Sequence, residues 1–141
     1  MVHLMTKVAE YAIIVDKKKE QFLLVQWGKY YDFSWHFPGG RLDENEKEKE
    51  GLKRELIEEI GIKVKNIKPI YAKYIGEEFR TKPVDEPRYA LFYLCELEED
   101  QEIKLNEEEL KSFKWFKRND LDKIKFWMPF YKEMLEEVLP F

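Results

Sequence analysis

Three glutamates, Glu55, Glu58 and Glu59, are spaced so that together they could bind a metal ion. At about 100° per residue in a helix, positions i, i+3 and i+4 lie within about a third of the circumference. Their like charges repel, and one arginine, Arg54, cannot neutralise all three even if it pairs with Glu50 or Glu58. Because all-oxygen ligands select a hard divalent cation, the spacing indicates Mg²⁺ or Mn²⁺. The alternative is that a glutamate-rich chain simply places these residues on a solvated helix face.

A proline and two glycines, Pro38-Gly39-Gly40, precede this acidic segment. Glycine lets the main chain turn sharply and approach a ligand closely. A glycine-rich turn before an acidic helix can therefore offer a carbonyl oxygen to a metal and amide groups to a phosphate. Taken alone, the cluster is also typical of a plain turn. Beside the three glutamates, it favours a site for a metal-bound phosphate compound.

The residues that would position this site follow alternating strand and helix patterns. Apolar runs at 8–15 and 21–27, with a polar turn between them, predict a hairpin, and 35–37 predicts a short strand that stops at the glycines. Leu52, Leu56 and Ile60 recur at helical spacing, which predicts a helix from about Glu46 to Ile60 that ends at Gly61. Further strands are predicted at 62–74, 88–97 and 113–116, and a second helix at 126–138. These elements indicate a mixed α/β (α+β) domain over residues 1–141.

Composition excludes several classes of protein. Of the 141 residues, 44% are apolar and 38% charged, which argues against a disordered chain or a membrane protein. A single cysteine, Cys95, excludes an internal disulfide and a cysteine-built zinc site. The chain has no signal-peptide pattern, so we expect a cytoplasmic protein. A net charge of −4 argues against non-specific binding of nucleic acid.

The acidic segment and its surroundings resemble one family. Gly40, Glu46 and the run Arg54-Glu55-Leu56-Ile57-Glu58-Glu59-Ile60-Gly61-Ile62 match the Nudix box at every specified position. The approach Trp35-His36-Phe37-Pro38-Gly39-Gly40 and the late Trp115-Phe116 also agree with that family. One departure is Gly51, where many members carry alanine. It should cost up to about 1 kcal/mol of helix propensity without affecting the chemistry.

The resemblance implies the Nudix fold, a mixed sheet sandwiched between helices, and an enzyme that hydrolyses a diphosphate linkage by water attack on phosphorus. It also implies one or more divalent metals, Mg²⁺ or Mn²⁺, as cofactor. By the family pattern, Glu58 and Glu59 are metal ligands, and Glu55 is either a ligand or the general base. The Gly39 carbonyl is a further candidate ligand. Arg54 would orient the glutamates, with Glu46 as its partner.

Residues outside the motif are assigned more loosely by the same resemblance. The family often recruits one more acidic residue, for which Glu109 fits best and Glu107 and Glu108 are alternatives. Arg41 and Gly40 are candidates for contacting a phosphate of the substrate. Aromatic residues of the loops could stack on a nucleobase or could simply pack; they are Tyr30, Tyr31, Phe33 and Phe79, of which Tyr31 and Phe79 are taken as candidates.

The expected substrate is a small nucleotide, a nucleoside triphosphate or another nucleoside diphosphate derivative. The alternatives are an ADP-ribose or NDP-sugar hydrolase, a dinucleoside polyphosphate hydrolase, an RNA 5′-end pyrophosphohydrolase, and a nucleotide-binding module without catalysis. The intact set of Arg54, Glu55, Glu58 and Glu59 speaks against the last. The net charge disfavours RNA. We expect no membrane partner and a monomer or homodimer.

Overall fold

Strand β1 lies at the centre of a seven-stranded mixed sheet, with one helix on each face. The computed structural model describes residues 7–27, 32–76 and 87–141, so Tyr30, Tyr31 and Phe79 lie outside the described residues. The elements in chain order are β1 (Lys7–Asp16), β2 (Gln21–Gln26), β3 (Trp35–His36), β4 (Gly39–Arg41), α1 (Glu48–Ile60), β5 (Val64–Ile75), β6 (Arg88–Leu97), β7 (Ser112–Lys117), a 3₁₀ helix (Arg118–Lys123) and α2 (Phe130–Val138).

The strand order is β3-β2-β1-β6-β5, with β4 pairing to β1 and β7 to β2. Strands β1 and β6 are parallel over their whole length, from Lys7 opposite Arg88 to Val15 opposite Glu96. The other pairs between the named strands are antiparallel, including the predicted β1–β2 hairpin. Strand β1 therefore has β6 on one side and shares its other side between β2 and β4.

The side chains of β1 point alternately to the two faces of the sheet, so they contribute to two layers of the core. Tyr11, Ile13 and Val15 face the layer that contains α2, whereas Ala12 and Ile14 face the layer beneath α1. Because successive strand residues point to opposite faces, a strand covered on both sides reads as one continuous apolar run. The predicted fold, a mixed sheet sandwiched between helices, is confirmed.

Helix α1 forms much as its sequence predicts. Leu52, Leu56 and Ile60 are fully buried against the sheet, which anchors one side of the helix. The helix starts at Glu48, slightly later than predicted, and ends at Gly61, which adopts a left-handed φ of 66°. The Gly61 amide donates to the Ile57 carbonyl at 3.1 Å, so the helix closes with a glycine cap.

The predicted short strand does end before Pro38, at His36, but a further strand was missed, because Gly39–Arg41 forms β4 and pairs with β1. One prediction about a helix boundary was wrong. The second helix begins at Phe130 rather than at residue 126, and a 3₁₀ helix precedes it at Arg118–Lys123. Pro129 accounts for the later start, because the residue before a proline avoids the helical region.

Tyr131, Met134 and Leu135 are the residues of α2 that are buried in the core. In the described part of the chain, neither helix has the length and apolar character that crossing a bilayer would require.

Candidate active site

Glu59 and Glu55, on the acidic side of α1, pack against β4, whereas the Glu58 side chain is 56% exposed. Glu59 is only 4% exposed, and its Oε1 accepts a hydrogen bond from the Gly39 amide at 3.3 Å. Gly39 has a φ of 144°, and a Cβ there would lie 2.0 Å from the Glu10 carbonyl oxygen. Only glycine fits at this position, because a side chain would collide with the neighbouring strand.

Gly40 brings the same strand close to a second glutamate. A Cβ at Gly40 would lie 2.6 Å from Oε2 of Glu55. The two glycines of β4 therefore leave main chain without side chains, against which the Glu55 and Glu59 carboxylates pack. The alternative that these glutamates occupy a solvated helix face does not hold for Glu59.

Arg54 holds several carboxylates at once. Its Nε and Nη2 donate to the two carboxylate oxygens of Glu46, at 2.7 and 3.1 Å, which is a bidentate pair. Its Nη1 lies 3.1 Å from Oε1 of Glu55 and 3.0 Å from Oε2 of Glu58. The predicted pairing with Glu58 is thus present, while Glu50 pairs with Lys53 instead. These hydrogen bonds from Arg54 lower the pKa of Glu46.

Burial and crowding make these carboxylates hard to ionise. Burial, followed by the charges of Glu55 and Glu109, raises the pKa of Glu59 to about 9. Burial also raises the pKa of Glu55, where Arg54 opposes the effect and Glu58 and Glu109 add to it. Such shifts are common where carboxylates are arranged to bind a cation or to exchange a proton.

Among the three candidates for a distal acidic residue, Glu109 is the one whose charge raises the pKa of the glutamates of α1. Its charge acts on both Glu55 and Glu59. The segment around it is attached to the end of α1, because the Asn106 amide donates to the Glu59 carbonyl at 2.8 Å. The Glu109 amide in turn donates to the Asn106 carbonyl at 3.0 Å. The fold therefore brings Glu109 to the box glutamates although about fifty residues separate them.

The candidate metal ligands are carboxylate oxygens beside the main chain of β4, and oxygen ligands of this kind suit a hard divalent cation. Within the described ranges, no three His, Cys, Asp or Glu side chains are arranged closely enough to hold a metal ion. Glu58 is instead paired with Arg54, and Glu59 accepts the Gly39 amide. Binding a cation would require these carboxylates to leave their present partners and converge.

The remaining candidates occupy less definite positions. The Arg41 side chain is exposed at the end of β4, and its carbonyl oxygen accepts from Arg54 Nη2 at 3.3 Å. Phe33 is 52% exposed. Tyr31 and Phe79 belong to the ranges that the structure does not describe. The structure thus brings together Gly39, Gly40, Arg54, Glu55, Glu58, Glu59 and Glu109.

One residue of this region was missed in the sequence. Glu10, in β1, is 1% exposed on the side of the sheet that faces α1. Burial raises its pKa to about 7, although the Tyr93 hydroxyl opposes this shift. An acidic residue inside the otherwise apolar run 8–15 was the signal that could have found it.

Gly51 is linked to this buried acid. A Cβ at Gly51 would lie 2.9 Å from Oε1 of Glu10, 2.9 Å from Oε1 of Glu46 and 2.5 Å from Cδ1 of Leu42. The glycine therefore makes room for Glu10 beside the Glu46 carboxylate that binds Arg54. The expectation that Gly51 affects only helix propensity was incomplete, because it touches the partner of a site residue.

Comparisons with known proteins point to one family. The model of the NUDIX domain family matches residues 5–138. The RNA pyrophosphohydrolase of Ruthia magnifica subsp. Calyptogena magnifica is 29% identical, over 94% of this chain and 81% of its own length. The 8-oxo-dGTP diphosphatase of Buchnera aphidicola subsp. Acyrthosiphon pisum is 40% identical, over 49% of this chain and 54% of its own.

A similar fold is found in the crystal structure of a MutT NUDIX hydrolase from Burkholderia pseudomallei. It aligns with a TM-score of 0.78 at 22% identity, over 96% of this chain and 99% of that one. The match to the family model spans the strands, both helices and the glutamate cluster. The chain therefore belongs to the Nudix family and is a hydrolase of nucleoside diphosphate derivatives.

Proposed function

We propose that this protein is a pyrophosphohydrolase dependent on Mg²⁺ or Mn²⁺ that acts on nucleoside triphosphates or closely related nucleotides. The observation that carries the proposal is the burial of Glu59 and Glu55 against the two glycines of β4, with the charge of Glu109 acting on both. Crowded carboxylates of this kind are costly in the free protein. A bound cation would offset that cost and would attract an anionic diphosphate.

The residues proposed to hold the cation are Glu55, Glu58, Glu59 and Glu109, with the Gly39 carbonyl as a further ligand. When bound, a divalent cation would neutralise phosphate charge and lower the pKa of a water molecule. Oxygen ligands on a helix and an adjacent strand match the preference of Mg²⁺ for carboxylates and substrate phosphates. We expect Mn²⁺ to substitute because it accepts the same ligands.

Glu55 is proposed to serve as a ligand or as the general base, and Arg54 as the residue that orients the carboxylates. Arg54 reaches Glu46, Glu55 and Glu58 simultaneously, so it can set their relative positions. Its bidentate pair with Glu46 is the most ordered of these contacts, since both carboxylate oxygens are used. Arg41 and Gly40, at the end of β4, are proposed to contact a substrate phosphate.

A second candidate is hydrolysis at the 5′ end of RNA. Several relatives are RNA pyrophosphohydrolases, and one of these aligns with 94% of the chain. The 8-oxo-dGTP diphosphatases align over only about half of the chain or less. The two candidates share the same cleavage reaction and differ in whether a polynucleotide chain continues beyond the first nucleotide.

The test is a substrate panel with product identification by mass, in Mg²⁺ and in excess EDTA. The panel contains nucleoside triphosphates, ADP-ribose, an NDP-sugar, a dinucleoside polyphosphate and a 5′-triphosphorylated oligoribonucleotide. We expect pyrophosphate or orthophosphate release only with the divalent cation, and loss of turnover in Glu59→Gln. Full turnover in EDTA, or no cleavage of any member, would refute the proposed function.

A further inference from the structure

A groove lies on the outer side of α1, where the helix faces the beginning of β5. Its cavity volume is about 840 Å³, which is within the range for sites that bind nucleotide-sized ligands. Lys49, Lys53 and Ile57 line it from the helix, and Lys63, just before β5, and Lys65, within β5, line the opposite side. We call these five residues and the space between them the lysine groove.

The lysine groove has an excess of positive charge that the protein itself does not neutralise. Lys53 pairs with Glu50 at 3.8 Å. In the described part of the chain, Lys49, Lys63 and Lys65 form no ion pair. Glu98, which also lines the groove, is the acidic residue that remains against these three lysines. The groove is therefore a local anion-binding surface on a chain of net negative charge.

The cations are spread along the groove rather than gathered at one point. Lys49 and Lys53 are separated by about 6 Å along the helix axis, and Lys63 and Lys65 by a similar distance along β5. Ile57, which is 50% exposed, lies on the helix side. A single phosphate would engage only part of this surface. A ligand with successive phosphates and apolar groups between them would engage all of it.

The strand side of the groove is held in a defined shape. The Gln101 side chain donates to the Lys63 carbonyl at 2.7 Å and accepts from the Lys63 amide at 2.8 Å. Asn66 adopts a φ of 54° at a β-bulge, and its side-chain amide donates to Glu96 at 2.8 Å. A bulge held in this way re-aims the neighbouring side chains. The strand side of the groove therefore has a shape fixed by hydrogen bonds and by the bulge.

The lysine groove adjoins the candidate active site. Arg54 and Glu58 line the groove, and Arg54 also contacts the site residues Glu46 and Glu55. These two side chains separate the groove from the glutamates that rest on β4. A ligand that placed its 5′ phosphates at the glutamates could continue past Arg54 into the groove.

We propose that the lysine groove binds the single-stranded RNA chain that follows a 5′ triphosphate held at the glutamate cluster. The proposal rests on the second candidate function, hydrolysis at the 5′ end of RNA, and specifies where the chain of that substrate lies. A free nucleoside triphosphate has no phosphates beyond those at the reaction centre, so it has no use for a second cationic surface. A polyribonucleotide supplies both the repeated negative charge and the apolar base surface that Ile57 can contact.

The test compares two triple variants with the same change of charge. Lys49→Gln/Lys63→Gln/Lys65→Gln removes the unpaired cations of the groove. Lys7→Gln/Lys117→Gln/Lys123→Gln removes three exposed lysines that line neither the groove nor the cavity beside it. Thermal melting of both variants verifies that the fold is intact.

Binding is measured by fluorescence anisotropy with a labelled, 5′-monophosphorylated, single-stranded oligoribonucleotide in Mg²⁺ over a range of salt concentrations. The groove variant should bind the oligoribonucleotide roughly tenfold or more weakly. The slope of the logarithm of its binding constant against the logarithm of salt concentration should be smaller in magnitude by about 2, because three phosphate contacts are lost. The control variant should bind as the unaltered protein does. Equal binding by both variants would overturn the proposal.

Hydrolysis gives a second readout. For a 5′-triphosphorylated oligoribonucleotide, the groove variant should show a raised KM with kcat little changed. The loss of kcat/KM on RNA should exceed any loss on a nucleoside triphosphate several-fold. Proportional losses on both substrates would overturn the proposal, because the groove would then serve the reacting nucleotide itself. Absence of hydrolysis in the unaltered protein would refute the proposed function, while the anisotropy measurement would still decide the role of the groove.

Discussion

The buried carboxyl group of Glu59 should make the metal-free protein less stable as pH rises. Its pKa is raised from 4.5 in the reference state to about 9 in the fold, so the native protein binds one more proton than the unfolded chain between these values. The stabilisation that the protonated Glu59 contributes to the fold is fully present below pH 4.5 and is lost as pH rises towards 9. At 1.36 kcal/mol per pKa unit, the whole shift corresponds to about 6 kcal/mol.

The perturbation that tests this is Glu59→Gln. Glutamine has nearly the same shape, can accept the Gly39 amide, and stays neutral at every pH. Between pH 6 and pH 8, the free energy of unfolding of the unaltered protein should therefore fall more steeply than that of the variant, by about 1.4 kcal/mol per pH unit. Glu10, with a pKa of about 7, contributes its own slope to both proteins, so the difference between them isolates Glu59.

The assay is urea denaturation in excess EDTA at several pH values, with free energies obtained by linear extrapolation. Glu50→Gln is the matched control, since Glu50 lies on the same helix with its side chain 65% exposed and should leave the slope unchanged. Adding Mg²⁺ at pH 8 should stabilise the unaltered protein more than Glu59→Gln. Parallel curves for the unaltered protein and Glu59→Gln between pH 6 and pH 8 would refute the buried, protonated state of Glu59.

Three further expectations concern the site. Arg54→Lys should lower kcat by roughly 10- to 100-fold, because a lysine cannot make the bidentate pair with Glu46. The measurements are steady-state kinetics and thermal melting, and we expect the melting temperature to stay the same. Gly51→Ala should destabilise the protein by about 1 kcal/mol despite the better helix propensity of alanine, because the added Cβ collides with Glu10. In urea denaturation, Glu10→Ala in the same chain should recover part of that loss, and free-energy changes of the two substitutions that simply add would contradict the contact. Activity in Mg²⁺ should rise from pH 6 towards pH 9, because Glu55 and Glu59 must lose their protons, and a rate maximum below about pH 5 would contradict the assignment.

Much of the fold was predictable because it rests on local patterns. The apolar recurrence of Leu52, Leu56 and Ile60, together with Gly61, sets the course and end of α1, since helical periodicity and a left-handed cap depend on near neighbours. The apolar run of β1 likewise shows that the strand is covered on both faces. The family and its reaction were implied by the match of residues 40–62 to the Nudix box, whereas the spacing of the glutamates alone left a solvated helix face as an alternative.

Other features depend on contacts between distant segments. Gly39–Arg41 became a strand because the free side of β1 offered a partner, which no propensity of glycine would indicate. The start of α2 was misplaced because an apolar pattern ran through Pro129 into the preceding residues. In both cases the local signal was ambiguous, and tertiary packing or one proline decided the outcome.

Residue types and their spacing were enough to predict that Arg54, Glu55, Glu58 and Glu59 lie close together, because they share a helix of known geometry. The burial of Glu59 on β4, the proximity of Glu109 to it, and the place of Glu10 beneath α1 came from the folded arrangement alone. The lysine groove, too, exists only because α1 packs beside the beginning of β5. Burial and charge proximity are properties of assembled surfaces, so the pKa of Glu59 could not be obtained from the spacing of residues along one chain.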